Sequence, residues 1–172
     1  MKTPPRHPRL PRAIAAALVL GAALLAGCSS TPPVENRVPA GSAEREAVIS
    51  HALEQIGKPY RREASGPSAF DNDGFIAFVY RDAPEPLPEA VRAQLEAGTP
   101  IDLADARPAD LVFFRLEGND DRARLLVGLY LGDETMLMAT PGIREDAGVR
   151  RLALDEYWHQ RLVGVIRILP PR

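Results

Sequence analysis

The sequence of 172 residues has a single cysteine, Cys28, and three histidines. One cysteine excludes an internal disulfide and any metal centre that needs several thiolates. Aromatic residues make up only 6% of the chain, and no run of Lys and Arg suggests nucleic-acid binding. The apolar run from Ala13 to Ala26 is too short to be a comfortable membrane span. These absences leave an export signal as the best explanation of the N-terminal segment.

The residues around Cys28 have the layout of a bacterial lipoprotein signal. The basic residues of the first twelve positions are not accompanied by any acid: Lys2, Arg6, Arg9 and Arg12. An apolar region follows, and the segment Leu25-Ala26-Gly27-Cys28 resembles a lipobox. We predict that residues 1–27 are removed and that Cys28 is acylated, although an uncleaved anchor or an ordinary signal would share this layout. No Asp follows at the second mature position, which by resemblance to bacterial lipoproteins favours the outer membrane.

The segment 28–41 is rich in Pro, Ser and Ala and lacks apolar periodicity, so it predicts a flexible tether between lipid and domain. Residues 42–172 are enough for one domain with its own core. Once the signal is removed, 17 basic and 23 acidic residues give the mature chain a net charge of −6. We therefore expect a mildly acidic envelope domain without a nucleic-acid partner.

Predicted helices come first and predicted strands follow, so α+β is the expected fold class. Ser42 is a candidate N-cap of the first helix, with Glu44 and Glu46 in its first turn and Gly57 after its end. Its apolar stripe is predicted to contain Val48, Ile49, Ala52, Leu53 and Ile56. Further helices are predicted over about Asp73–Arg81, Leu87–Ala97 and Asp155–Gln160.

The second half of the sequence consists of short strand-like runs between turn residues. The predicted strands are Leu111–Leu116, Arg124–Leu131, Thr135–Ala139, Val149–Leu152 and Leu162–Leu169. Gly132-Asp133 is the predicted hairpin turn between two of them. Together these elements predict helices packed on a small antiparallel sheet.

Five sequence blocks resemble those of the NlpC family, papain-like cysteine endopeptidases that cut the peptide stems of peptidoglycan. They are QIGKPY at 55–60, FDNDGF at 70–75, PADLVFF at 108–114, VGLYLGD at 127–133 and the ending from Tyr157 to Gly164. They occur in the family's order and cover about Glu44 to Pro170. The resemblance implies a papain-like α+β domain.

The same resemblance implies that the catalytic groups are missing. Active members have a cysteine that opens a helix, a histidine as base and a third polar residue that orients the base. The corresponding positions here are Asn72, Leu126 and Met138, and none of these side chains can take those roles. We therefore predict a pseudoenzyme without catalytic residues. We also expect Leu126 and Met138 to fill the former site and join the core.

The candidate groove residues are Arg62, Glu63, Asp71 and Asp73. The family's Tyr-Gly-Gly is replaced here by Arg62-Glu63-Ala64, which makes recognition of the family's peptide substrate less favourable. Asp73 is a weak candidate for a carboxylate nucleophile or base, because a helix N-terminus should depress its pKa.

Other candidate sites have simpler explanations. Asp71-Asn72-Asp73-Gly74 does not fit a calcium loop and indicates a helix start, capped by Asp71 or Asn72. Ser65 and Ser68 have no histidine placed to activate them. His51 and His159 are expected at the surface. The charged loops at 118–121 and 144–146 indicate solvation or the border of a binding face. The sequence implies no cofactor and no metal.

Three functions remain open at this point. The first is a non-catalytic lipoprotein that binds a cell-envelope protein or peptidoglycan, with a protein partner favoured. The second is a divergent peptidoglycan endopeptidase. The third is a purely structural envelope lipoprotein.

Overall fold

The computed structural model describes residues 40–117, 124–142 and 147–169, with side chains from Ala43 onward. The elements are α1 (Ala40–Leu53), α2 (Asn72–Val79), α3 (Val91–Glu96), β1 (Thr99–Ile101), a 3₁₀ turn (Leu103–Asp105), β2 (Leu111–Leu116), β3 (Arg124–Gly132), β4 (Thr135–Thr140), β5 (Gly148–Ala153), α4 (Glu156–His159) and β6 (Leu162–Arg167). The α+β prediction is confirmed. The predicted signal, most of the tether and the charged loops at 118–121 and 144–146 lie outside the described residues. In the described ranges, no helix has the length and apolarity needed to cross a membrane.

The strands form one antiparallel sheet in the order β1-β6-β2-β3-β4-β5. Because successive side chains point to opposite faces, β3 and β4 contribute to two separate cores. The core on the α1 and α2 face includes Phe75, Ile76, Val127, Leu129, Leu137 and Ala139. The core on the α4 face includes Leu126, Tyr130, Met136, Met138 and Trp158. The second core explains why these strands are apolar on both faces rather than alternating.

The first helix differs from its prediction at both ends. It begins at Ala40, so Ser42 lies inside it rather than at the N-cap, and its first turn contains no acidic residue. Its apolar stripe is also narrower than expected. Val48 and Ala52 are buried, whereas Leu53 is 36% exposed and Ile56, which lies beyond the helix in a turn, is 47% exposed.

The third helix is shorter than predicted, and one strand was missed. The helix begins at Val91 instead of Leu87, because Leu87 precedes Pro88 and a residue before proline avoids the helical region. The missed strand, β1, has only three residues and contains Pro100. Neither length nor alternation could identify it in the sequence.

The hairpin between β3 and β4 turns one residue later than predicted. Gly132 pairs with Thr135, so the two turn residues are Asp133 and Glu134. Both have left-handed backbone angles, with φ of 48° and 52°. That pair of positive angles is the geometry of a two-residue hairpin turn whose twist matches the flanking strands.

A buried carboxylate joins the two ends of the described domain. Asp110, just before β2, is fully buried. Its Oδ1 accepts from Arg45 of α1 at 3.0 Å and its Oδ2 accepts from Arg167 of β6 at 2.7 Å. Arg45 also donates to the carbonyl oxygen of Leu169 at 2.6 Å. The Asp110 hydrogen bonds raise the pKa of Arg167 above its usual value, so the Arg167 guanidinium stays charged.

We expect Asp110→Asn to lower the free energy of unfolding by about 3–5 kcal/mol, because it leaves two largely buried guanidinium groups without a counter-charge. Urea denaturation of the full chain would measure the change. Asp102→Asn is the matched control, since Asp102 is exposed, and should change stability by no more than about 0.5 kcal/mol. Equal stabilities for the two variants would contradict the structural role of Asp110.

Candidate functional site

The start of α2 is organised by the carboxylate of Asp71. Its Oδ1 accepts from the backbone N–H of Gly74 at 2.8 Å, and its Oδ2 accepts from the N–H of Glu63 at 2.8 Å. Asp71 is therefore the N-cap of α2 and also holds the loop before the helix. The predicted helix-start explanation of Asp71–Gly74 is confirmed. Among the described residues, no cluster of His, Cys, Asp or Glu could hold a metal ion.

Asn72, the first residue of α2, is inserted between strands β3 and β4. Its side chain is buried, with 6% of the residue exposed. Its Nδ2 donates to the carbonyl oxygens of Val127 at 2.9 Å and Ala139 at 3.1 Å. Its Oδ1 accepts from the N–H of Val127 at 2.7 Å. Both the donor and the acceptor of the carboxamide are therefore occupied by backbone.

These contacts occur where the β3–β4 ladder stops. The two strands pair from Leu129 and Leu137 towards the hairpin. Continuing that register would place Val127 opposite Ala139 as the next hydrogen-bonded pair. The Asn72 carboxamide occupies that place instead, and it acts like a peptide group by accepting from one strand and donating to both. It thus joins α2 to the sheet and satisfies backbone groups that the separated strands would leave unpaired.

Leu126 and Met138 lie in the core on the other face of these strands. Leu126 is 6% exposed and Met138 is fully buried. The packing around them is dense: a Cβ added at Gly128 would approach the sulfur of Met136 to 2.9 Å and Cε of Met138 to 3.4 Å. Asn72 contacts the backbone of β3 and β4, whereas Leu126 and Met138 pack among apolar side chains. The expectation that these two residues join the core agrees with the structure.

Asp73 does not follow the prediction from helix-dipole reasoning. Partial burial raises its pKa, and the nearby charge of Asp71 adds to this effect, whereas hydrogen bonds from backbone N–H groups oppose it. One of these donors is the N–H of Val91, the first residue of α3, which donates to Asp73 Oδ2 at 3.3 Å. The prediction of a depressed pKa was wrong, because it took account of the helix N-terminus but not of the partial burial of Asp73.

Gln94 is the site residue that the sequence did not indicate. It is fully buried in α3, and its Nε2 donates to the carbonyl oxygens of Asp73 at 3.0 Å and Pro88 at 2.8 Å. This amide fixes α3 over the first turn of α2. A glutamine inside an otherwise ordinary amphipathic segment gives no sequence signal for such a role.

The remaining candidate residues are exposed, except for the half-buried His51. Arg62 and Glu63 are exposed, and Glu63 has a φ of 58°, a conformation that glycine adopts without strain. Ser65 and Ser68 are also exposed. The ring of His51 packs beside that of Phe78, with 4.8 Å between ring centroids and an angle of 42° between the ring planes. His159 is exposed and its Nε2 lies 2.8 Å from Glu134 Oε2.

Comparison with known proteins identifies the family. The NlpC/P60 family model matches residues 57–167. This range includes Asn72 and the residues of β3 and β4 that it contacts, Val127 and Ala139. The chain belongs to the NlpC/P60 family, and its domain resembles those of peptidoglycan hydrolases.

Two curated relatives and one solved structure illustrate the range of similarity. The chain is 28% identical to the murein DD-endopeptidase MepH of Escherichia coli over 131 residues, which are 74% of this chain and 47% of the relative. It is 33% identical to the "Probable endopeptidase p60" of Listeria grayi over 147 residues, 81% of this chain and 26% of the relative. A crystal structure of an NLP/P60-family protein similar to lipoprotein, from Staphylococcus aureus, gives a TM-score of 0.63 at 26% identity and covers 75% of this chain and 42% of that one. The chain thus spans less than half the length of each of these proteins.

Two substitutions of Asn72 test whether its polar contacts stabilise the fold. We expect Asn72→Ala to lower the free energy of unfolding by about 2–4 kcal/mol, because buried backbone groups lose their partners. Asn72→Asp should be at least as destabilised at neutral pH, because its carboxylate would face the carbonyl oxygens of Val127 and Ala139.

The pH dependence of Asn72→Asp is the sharper part of this test. Burial and the two carbonyl oxygens should raise the pKa of the introduced carboxyl in the folded protein. Stability relative to the wild type should then be partly recovered at low pH, where the carboxyl is protonated, and lost as pH rises through that raised pKa. Denaturation at a series of pH values checks this, with Asn72→Ala as the control that should show no such trend. The same pH trend in both variants would contradict the assigned contacts.

Proposed function

We propose that this protein is a catalytically inactive envelope lipoprotein, anchored through Cys28, whose NlpC/P60 domain binds a protein of the cell-wall machinery. The observation that carries the proposal is the buried Asn72 carboxamide, with its donor and acceptor both bound by backbone of β3 and β4. The family resemblance places the nucleophile at this position. Here the side chain instead forms hydrogen bonds with the backbone of the sheet.

The neighbouring positions support the same proposal. A general base must accept a proton and lie within reach of the nucleophile, and the apolar side chains of Leu126 and Met138 have no acceptor. Both are buried among apolar residues, so an entering water would lose its hydrogen bonds there. Loss of one member of a catalytic triad alone costs several orders of magnitude in rate.

The altered segment Arg62-Glu63-Ala64, here called the groove loop, favours a protein ligand over the stem peptides of peptidoglycan. The resemblance places Arg62 and Glu63 where the family has Tyr and Gly, and both charged side chains are exposed. Long charged side chains change both the shape and the charge of a surface that small residues would leave open. Peptidoglycan itself remains the second ligand in this proposal.

A hydrolysis assay on purified peptidoglycan tests the inactivity. We expect the full chain, kept in mild detergent, to release no more stem-peptide fragments than a protein-free blank does, with the E. coli relative as the active control. Fragments are measured by liquid chromatography and mass spectrometry. Fragment release by the wild type that Asp73→Asn abolishes would overturn the proposal and assign catalysis to the Asp73 carboxylate.

A pelleting assay with intact sacculi then separates the two ligand classes. The favoured protein partner predicts that the protein stays in the supernatant at every sacculus concentration. Saturable pelleting, weakened by Arg62→Ala together with Glu63→Ala, would assign the binding face to peptidoglycan instead.

A further inference from the structure

The two edges of the sheet are built differently. The edge strand β1 has three residues, one of which is Pro100. Short strands and proline are common ways to protect an edge from pairing with another chain. The other edge strand, β5, has six residues and no proline. Protection by strand length or proline is therefore confined to one edge of the sheet.

Half of the β5 edge is already paired, and this pairing fixes the direction of the other half. The N–H of Val149 donates to the carbonyl oxygen of Lys58 at 2.9 Å, and Val149 accepts from the N–H of Gly57 at 2.9 Å. Backbone groups on an antiparallel strand alternate in direction, so Arg151 and Ala153 also direct their N–H and C=O away from β4. Within the ranges described, no backbone group pairs with these two residues on that side.

The surface beside this open edge combines an apolar side chain with a cation. A surface cavity of about 430 Å³ is lined by residues of β5 and of the turn after α1, including Ile56, Gly57, Val149 and Arg151. Ile56 is 47% exposed there, and Arg151 is also exposed. Lys58, on the segment that pairs with Val149, is a second cation next to the edge.

We propose that the open edge of β5, at Arg151 and Ala153, binds an extended acidic segment of a protein partner as an added strand. The four backbone groups of these residues would pair with the segment, and Arg151 would select carboxylates along it. Ile56 would contact an apolar side chain of the segment. The inference deepens the proposed function and rests on it, because it assigns a place and a chemistry to the protein partner.

Charge argues against a second copy of this chain as the occupant. In a two-fold antiparallel β5–β5 pairing centred on Arg151, the Arg151 side chains of the two copies would lie directly opposite each other, and in one centred on Leu152 they would be diagonal neighbours on the same face. Like charges directly opposite each other destabilise a strand pair. An acidic strand would place carboxylates at those positions instead.

The test uses a short peptide of alternating Glu and Val, added to the full chain and followed by backbone amide chemical shifts. We expect the largest shifts at Arg151 and Ala153 and no comparable binding by the peptide with Lys in place of Glu. Methylating the peptide amide nitrogens along the edge that faces β5 should abolish binding. The same methylation along the other edge should preserve it, whereas equal binding by both methylated peptides would overturn the added-strand geometry.

Variants of the chain test the role of Arg151. Arg151→Glu should weaken binding of the Glu peptide by at least about tenfold and should allow binding of the Lys peptide. Arg92→Glu, the same charge reversal at an exposed position of α3, should change neither. Undiminished binding by Arg151→Glu, or a concentration-dependent dimer of the wild type paired through Arg151 and Ala153, would overturn the proposal.

The two proposals can fail separately. Release of peptidoglycan fragments by the wild type would remove the proposed function, whatever the peptide does. Absence of peptide binding in a protein that releases no fragments would overturn the β5 edge inference alone.

Discussion

The buried carboxylate of Asp110 is the interaction on which the remaining structure depends. It binds the guanidinium groups of Arg45 and Arg167, so it holds α1 and the last strand against the start of β2. The residue before it, Ala109, accepts a hydrogen bond from the hydroxyl of Tyr80 at the end of α2. Burial and the nearby Asp110 carboxylate raise the pKa of Tyr80, so this hydroxyl stays protonated and remains a donor. The start of β2 therefore positions both α1 and α2.

Helix α2 is consequently attached to the sheet at both ends by polar side chains. Tyr80 fixes its C-terminal end to the Ala109 carbonyl, and Asn72 fixes its N-terminal end between β3 and β4. The apolar face between them, including Phe75, Ile76 and Val79, packs in the core. Since an eight-residue helix has little stability of its own, these attachments and the packing decide where it lies. Asn72 thus has a structural role that does not depend on any reaction.

The fold class and most elements could be predicted because their signals are local. β2 matches its predicted bounds, and α4 and the other long strands lie within a few residues of theirs. What the sequence did not reveal at the site depends on tertiary contacts. The raised pKa of Asp73 comes mainly from its partial burial in the folded domain. The role of Gln94 comes from a helix start in another part of the chain. Motif order likewise indicated where Asn72 lies, but only the structure shows that its amide replaces a ladder pair.

That replacement explains why an amide suits position 72 so well. The separated ends of β3 and β4 present an N–H and two carbonyl oxygens to the first residue of α2. A carboxamide offers both an acceptor and a donor, whereas a thiol is a weak donor and a weak acceptor. A carboxamide at this position therefore stabilises the sheet and supplies no nucleophile. Leu126 and Met138, which lie on the same two strands, are also buried. This part of β3 and β4 therefore has the physical properties of a core. In the proposed function, recognition falls to the surface, where the groove loop and the β5 edge both have exposed charged side chains.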